Sequence, residues 1–372
     1  MTEQQASAPD AAPGEGWWAF RGTGQAPAGE PPVLPDPPPW REFAGAPLCE
    51  APPGDPTTAE RRLGGLDPRA TLGPEELATV NAAVLLRRPL LVTGAPGLGK
   101  SSLAHLIARE LGLGRVLEWN IVSRSTLRGG LNEYDAIGRA QSIAAWRAAR
   151  DGIRDAIRDG SRDSVRAGRS PRDGEPEAGT DEPPALGDFL TLGPLGTALL
   201  PFERPRVLLI DELDKADLDL PNDLLHVLEN GSYEIPELVR SRESPVSVFT
   251  DDPGRRAEIR HGRVECRAFP IVVITSNGER EFPAALRRRC LPLEMRPPTR
   301  EQLVAVVASH LRRRPEGIES LLDEFHRRSS GGGTHTIDQL LNAVHMVAGG
   351  YRPEEDDRTL LETLLRDLSK GR

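Results

Sequence analysis

The sequence predicts an α/β fold, a parallel central sheet flanked by helices and followed by a small helical domain. Three observations predict it. A short apolar run at 90–93 leads into a glycine-rich loop and then an amphipathic helix. Two further runs, at 206–212 and 270–277, are continuously apolar and end in polar residues, as parallel strands buried on both faces do. Beyond residue 299 the apolar positions recur only at helical spacing.

The elements follow in order. Pro74, Glu75 and Glu76 open a helix whose apolar stripe is Leu77, Val80, Val84 and Leu85. Arg87, Arg88 and Pro89 end it, and Leu90, Leu91, Val92 and Thr93 form the first strand. Residues 94–101 read GAPGLGKS, and a helix to Leu111 follows with Leu103, Leu106 and Ile107 on its sheet-facing side. This G-x-x-x-x-G-K-S pattern, between a strand and a helix, is a phosphate-binding arrangement. Gly94, Gly97 and Gly99 let backbone N–H groups turn inward around phosphate oxygens, with Pro96 and Leu98 between them. Ser102 opens the helix, whose N-terminus favours an anion. Lys100 is expected to reach the β- and γ-phosphates and Ser101 to hold magnesium.

The second strand, 206–212, carries Asp211 and Glu212 at its carboxyl end, where an open α/β sheet presents its ligand site. Asp211 is placed to orient magnesium and Glu212 to polarise an attacking water. A helix over 220–229 ends at Asn230-Gly231. An extended excursion then occupies 232–268, with Val246 to Phe249 and Arg263 to Cys266 read as the arms of a hairpin joined through 250–262. The third strand ends at Asn277, whose amide can bond the attacking water, although Asn277-Gly278 is also a common turn pair. A short helix at 283–290 ends in Arg287, Arg288 and Arg289, and a last strand spans 291–295. Helices are expected at 300–311, 318–325, 337–346 and 359–368.

Composition bounds the rest. The chain has 372 residues, 37 Gly and 35 Pro, and 13 of the prolines fall in residues 1–60. That segment is read as largely disordered or draped over the surface. Trp17, Trp18 and Phe20 within it are an apolar anchor for the chain's own domain or a docking peptide for a partner. Residues 61–298 are assigned to the core and 299–372 to the helical domain and a C-terminal helix. A flexible charged insert occupies about 147–187, opening with Arg-Asp pairs that support a solvated helix. A net charge of -9 argues against a bulk electrostatic nucleic-acid binder. Cys49, Cys266 and Cys290 have no metal-site or disulfide spacing, and no apolar stretch approaches 18 residues. That cysteine usage fits a reducing compartment, so a cytoplasmic location is expected, and the N-terminal segment lacks the pattern of a secretory leader.

With these motifs in order, the chain resembles the AAA+ ATPases, and within them the MoxR-like, dynein-related group, over about 70–348. The resemblance is carried by GAPGLGKS at 94–101, VLLIDE at 207–212 followed by LDKA, VITSN at 273–277 and PAALRRRC at 283–290. Tyr134-Asp135-Ala136-Ile137-Gly138-Arg139 looks like a signature of a bacterial subgroup. The resemblance implies a P-loop NTPase αβα sandwich with a small α-helical lid, binding ATP and Mg2+ and hydrolysing ATP. It implies a homo-oligomer, commonly a hexameric ring, with nucleotide between subunits.

In that family's terms Lys100 and Ser101 match Walker A, Asp211 and Glu212 match Walker B, and Asn277 matches sensor 1. Arg289 matches the arginine finger best, with Arg288 a close contender. The excursion at 232–268 resembles the hairpin before sensor 1, and 121–139 occupies the place of the helix-2 insert. A sensor 2 arginine is absent: the equivalent stretch, 332–339, reads GGTHTIDQ, and His335 either takes a weaker version of that role or is an ordinary helix-start residue. The family implies remodelling or chaperone-like assembly of protein partners, including ones with von Willebrand factor A domains. The alternatives are an ATP-gated regulatory subunit of a multicomponent bacterial stress or defence system and, less favoured by the charge, a nucleic-acid translocase.

Overall fold

A computed structural model describes residues 16–54, 56–64, 72–158, 182–311, 318–330, 335–351 and 362–366. The first part of the chain forms α1 (Pro56–Leu63), α2 (Pro74–Leu86), β1 (Leu90–Thr93), α3 (Ser102–Glu110) and β2 (Leu117–Asn120). Then come α4 (Leu127–Leu131), β3 (Asn132–Tyr134), α5 (Ala136–Arg158), β4 (Leu190–Leu192) and α6 (Pro194–Ala198). The middle holds β5 (Val207–Asp211), α7 (Leu220–Asn230), β6 (Ser232–Glu234), α8 (Pro236–Val239), β7 (Val246–Phe249), β8 (Arg256–Ile259) and β9 (Arg263–Glu265). The last part holds β10 (Ile271–Ser276), α9 (Ala284–Arg289), β11 (Leu291–Glu294), α10 (Arg300–Leu311), α11 (Glu319–Ser330) and α12 (Ile337–Ala348).

The chain divides into two compact units. The first comprises 1–127, 198–233 and 265–372; the second comprises 128–197 and 234–264. Sequence reasoning placed the insert and the excursion as separate additions to one core. Contiguous packing instead collects residues of both into the second unit.

In the first unit five strands form a parallel sheet in the order β11-β1-β10-β5-β2. Leu90 pairs with Val273 and Leu291, and Val207 with Ile271. The central strands β5 and β10 have no exposed residue because each is an unbroken apolar run covered on both faces. β10 lies between β1 and β5, so the carboxyl ends of all three open at one place. β2 was not anticipated. It is a sheet edge, with Leu117 and Trp119 buried and Asn120 exposed.

Leu103, Ile107 and Leu111 pack with Val92, Val84 and Val273 in the core beneath the sheet. Phe20 joins that core at 0% exposure. Its backbone is clamped by Asn81, which accepts from Phe20 N (2.9 Å) and donates to Phe20 O (2.7 Å). The Glu110 carboxylate accepts from Arg21 N, Thr23 Oγ1 and Gly24 N. Of the two readings of the aromatic segment, the anchor on the chain's own domain is the one observed for Phe20. Residues 1–15 lie outside the described residues.

Helices α10, α11 and α12 have a separate core of Leu303, Val307, Leu322, Phe325, Leu340 and Val344. Thr336 caps α12 by accepting from Gln339 N, while the Gln339 side chain accepts from Thr336 N (2.9 Å). Of the helix expected at 359–368, residues 362–364 are helical and most of the flanking ones lie outside the described residues.

The second unit contains a four-stranded sheet ordered β3-β4-β7-β8. The hairpin partner of β7 is β8, with Val246 opposite Ile259 and Phe249 opposite Arg256. This corrects the expected pairing with 263–266. The closing turn is short, at 250–255, and places alternate buried residues Ala257 and Ile259 beside Val248 and Val246. The Tyr134-to-Arg139 signature has a local structural explanation. Asp135 Oδ1 accepts from Gly138 N (2.8 Å) at the start of α5, and Arg139 donates to Tyr134 Oη (3.3 Å). Within the insert, α5 runs to Arg158, and 159–181 lie outside the described residues.

Candidate functional site

The site lies at the carboxyl ends of β1, β5 and β10, entirely within the first unit. The loop after β1 turns through Gly97 (φ +78°) and Gly99 (φ +83°), conformations that strain any residue with a Cβ. Lys100 Nζ donates to Gly94 O, Ala95 O and Asn277 Oδ1, each at 2.8 Å. Burial lowers the Lys100 pKa, opposed by the carboxylates of Asp214, Asp211 and Glu212. The loop thus holds the Lys100 cation against its own carbonyls and the Asn277 amide.

Ser101 Oγ donates to Asp211 Oδ1 at 2.7 Å. A hydroxyl and a carboxylate so close are a hard, oxygen-only donor pair. They suit Mg2+, which is commonly held by one or two protein oxygens together with nucleotide phosphates. Among the described residues no cluster of three or more His, Cys, Asp or Glu could hold a metal without such phosphates.

Glu212 follows Asp211 in the left-handed region, at φ 58°. Its carboxylate accepts from Lys215 Nζ (2.5 Å) and from Asn277 Nδ2 (3.1 Å). The bond from Lys215 to Glu212 pushes the Lys215 pKa up. Asn277 therefore bridges Lys100 and Glu212 through the two ends of one amide. Its backbone is held as well: Asp214 Oδ2 accepts from Asn277 N (2.9 Å) and Glu279 N (3.1 Å). Asn277 is not simply a turn residue before Gly278.

A cleft of 1310 Å³ opens over these groups. Pro96, Gly97, Leu98, Gly99, Lys100, Ser101, Ser102, Asp211, Glu212 and Asn277 line it, as sequence reasoning expected. Gly94 is not among the lining residues; it packs against the backbone of Met295. Residues that were not anticipated also line it, among them Arg61 and Arg62 of α1, Thr275, Met295 and Arg296, and Gln302 and His310 of α10. Apart from Thr275, which lies within VITSN, none of these carries a motif, and only folding brings them to the loop.

Two sequence candidates stand elsewhere. Arg289 makes an ion pair with Glu229 of α7 and donates to Ala285 O (3.2 Å). Arg288 is exposed, and its carbonyl accepts from Arg88. Neither lines the cleft. His335 is also absent from it: the ring is 6% exposed and meets Phe325 edge-on in the lid core, 6.1 Å between centroids. Of its two readings, the ordinary structural one fits this placement. The neighbouring residues reach the loop instead. Ile337 N donates to Gly97 O (3.1 Å), and a Cβ on Gly97 would stand 2.3 Å from Thr336 Cβ.

Cys49, Cys266 and Cys290 are free of disulfides, and burial pushes the Cys266 and Cys290 thiols up to about 12. No helix among the described residues is long and apolar enough to cross a membrane.

Comparison with known proteins bears on this arrangement. No curated protein matches the chain. Among solved structures it is similar to NtrX from Brucella abortus in complex with ADP, at 13% identity and a TM-score of 0.41, over 85% of this chain and 59% of that one. It is similar to a single-residue variant of RuvB from Thermotoga maritima at 16% identity and a TM-score of 0.35, over 79% of this chain and 66% of that one. A second variant of the same RuvB is similar at 17% identity and a TM-score of 0.34, over 80% of this chain and 66% of that one. The chain thus spans less than two thirds of these relatives' lengths. The family model for the AAA domain, dynein-related subfamily, matches residues 89–290, more than half of the chain and the whole stretch from β1 to the end of α9. With a five-stranded parallel sheet whose phosphate loop, acidic pair and asparagine meet at one edge, the chain belongs to the dynein-related AAA domain family.

Proposed function

We propose that this chain binds ATP with Mg2+ and hydrolyses it, as one subunit of a homo-oligomeric ring that remodels or assembles protein partners. The observation that carries the reading is the convergence of Lys100, Ser101, Asp211, Glu212 and Asn277 on one cleft. Lys100 and the backbone of 94–101 bind the phosphates. Ser101 and Asp211 would hold the metal, which would supply positive charge to offset that developing on the phosphates. Glu212 accepts a proton from the water whose oxygen attacks the γ-phosphorus as the bond to the β-phosphate bridging oxygen breaks. Asn277, already bonded to Glu212, orients that water.

Arg289, with Arg288 as the contender, acts on the nucleotide of a neighbouring subunit. Its position outside its own chain's cleft supports this role. The MoxR-like motif series supports a protein client, of which a von Willebrand factor A domain partner is the first to test. The acidic charge favours such a client over nucleic acid.

The placement of His335 in the lid core favours a second reading, an ATP-gated regulatory subunit that turns over slowly. Steady-state ATP turnover of the purified chain, with and without candidate partners, decides between them. Partner-stimulated turnover supports the remodelling reading. Nucleotide-dependent assembly with turnover that no partner raises supports the regulatory one. Absence of Mg2+-dependent ATP binding overturns both.

A further inference from the structure

Thr275 is the first polar residue of β10 after the apolar run Ile271, Val272, Val273 and Ile274. It is 1% exposed, and its hydroxyl is used twice. It donates to Asp211 Oδ1 at 2.5 Å and accepts from Glu212 N at 2.8 Å. Asp211 Oδ1 therefore receives two hydroxyl protons, from Ser101 and Thr275. The Glu212 N–H held by Thr275 belongs to a residue at φ 58°, a conformation a glutamate adopts only when its surroundings impose it. One side chain thus fixes both the proposed metal-binding carboxylate and the turn that presents the proposed base.

We propose that Thr275 is a positioning residue of the hydrolytic centre: its hydroxyl orients the Asp211 carboxylate and holds Glu212 in the backbone turn that faces the cleft. The proposal rests on the ATP-hydrolysis reading above for its kinetic consequence. Its effect on metal-dependent nucleotide binding is separate. A β-branched residue without a hydroxyl would fill the same space. It would leave the Glu212 N–H without its acceptor and Asp211 Oδ1 with one donor fewer.

The test compares the full chain with Thr275→Val, which keeps the shape, and Thr275→Ser, which keeps the hydroxyl. Two quantities are measured: the Mg2+ concentration giving half-maximal binding of a fluorescent ATP analogue, and kcat and KM for ATP. Outer-shell partners of a metal site typically alter affinity or activity by about 10–100-fold. Thr275→Val is expected to raise the half-saturating Mg2+ by about tenfold and lower kcat by about 10–100-fold, with KM changed by less than about threefold. Thr275→Ser is expected within about threefold of the native chain on each measure.

Native behaviour of Thr275→Val overturns the proposal, and so does a serine variant as impaired as the valine one. If Thr275→Val does not give a folded protein by circular dichroism, Thr275→Ala takes its place under the same criteria. If the native chain binds Mg2+-nucleotide but does not turn it over, the hydrolysis reading falls. The Mg2+ titration then still decides the role of Thr275: a shift rescued by serine upholds it, and no shift overturns it. If the native chain binds no nucleotide, both readings fall together.

Discussion

The carboxyl edge of the sheet and the arginine cluster of α9 belong to one unit and answer to opposite logics. At the carboxyl ends of β1, β5 and β10, Lys100, Ser101, Asp211, Glu212, Thr275 and Asn277 bond one another around a common cleft. On α9 the charges turn away from that cleft. Arg289 is engaged with Glu229, and Arg88 holds the carbonyls of Arg288 and Arg289 at the helix end. A single chain thus carries a cleft lined by Lys100, Ser101, Asp211, Glu212 and Asn277 and, on α9, arginines that do not line it. An exposed pair such as Arg289–Glu229 contributes about 1 kcal/mol or less, so a stronger anion can displace it.

The comparison can be broken most sharply on the arginine side. Arg289→Ala is expected to lower ATP turnover by about 10³-fold or more while nucleotide affinity of the isolated chain stays unchanged. Steady-state kinetics beside a binding titration measures both. Arg288→Ala is expected to have a small effect, and a reversal of the two would move the finger to Arg288. On the sheet side, Glu212→Gln is expected to keep ATP binding and reduce turnover by about 10²-fold or more. Rapid turnover in that variant would remove Glu212 as the base.

Smaller effects sharpen the picture around the sheet edge. Thr336→Ala removes the cap of α12 and the side chain seated against Gly97. It is expected to cost about 1 kcal/mol of stability, read by thermal or urea unfolding, and ATP is expected to restore less of it than in the native chain. An unchanged unfolding curve would mean that the cap carries no weight there. The least perturbing probe is thiol labelling at pH 8. Cys49 is expected to react before Cys266 and Cys290, whose buried thiols stay protonated. Equal reactivity of all three would contradict the packing of residues 16–54 and of the core behind Cys266.

Much of this was legible in the sequence, for physical reasons that also explain the misses. β1, β5 and β10 announce themselves because a strand covered on both faces must be apolar throughout, and the polar residue that ends each run marks the ligand edge. β2 escaped notice because an edge strand only half-buries its residues, and Leu-Glu-Trp-Asn is too short to show a period. The partner of β7 was misplaced because Arg256, Ala257, Glu258 and Ile259 carry one modest apolar residue in two.

Proline density over 31–40 left no room for an α-helix there, and none forms among those residues. The aromatic run offered Phe20 as an anchor on its own domain but not its partners, since Asn81 and Glu110 are 61 and about 90 positions away. Distance in sequence hid the Arg289–Glu229 pair in the same way. Thr275 was read only as a strand residue: nothing in a β-branched run distinguishes a threonine that packs from one whose hydroxyl ties two carboxylate-bearing residues together.

Hydrolysis, on this reading, needs the sheet edge of one chain and the arginine of another. Co-expression of Arg289→Ala and Glu212→Gln chains, purified as mixed oligomers, tests that division most directly through steady-state ATP turnover. Each variant alone should be nearly inactive. The mixture should recover a substantial fraction of native turnover, because intact Glu212 sites then face intact Arg289 side chains. A mixture no more active than either variant alone, or an Arg289→Ala chain as active as the native one, would contradict it.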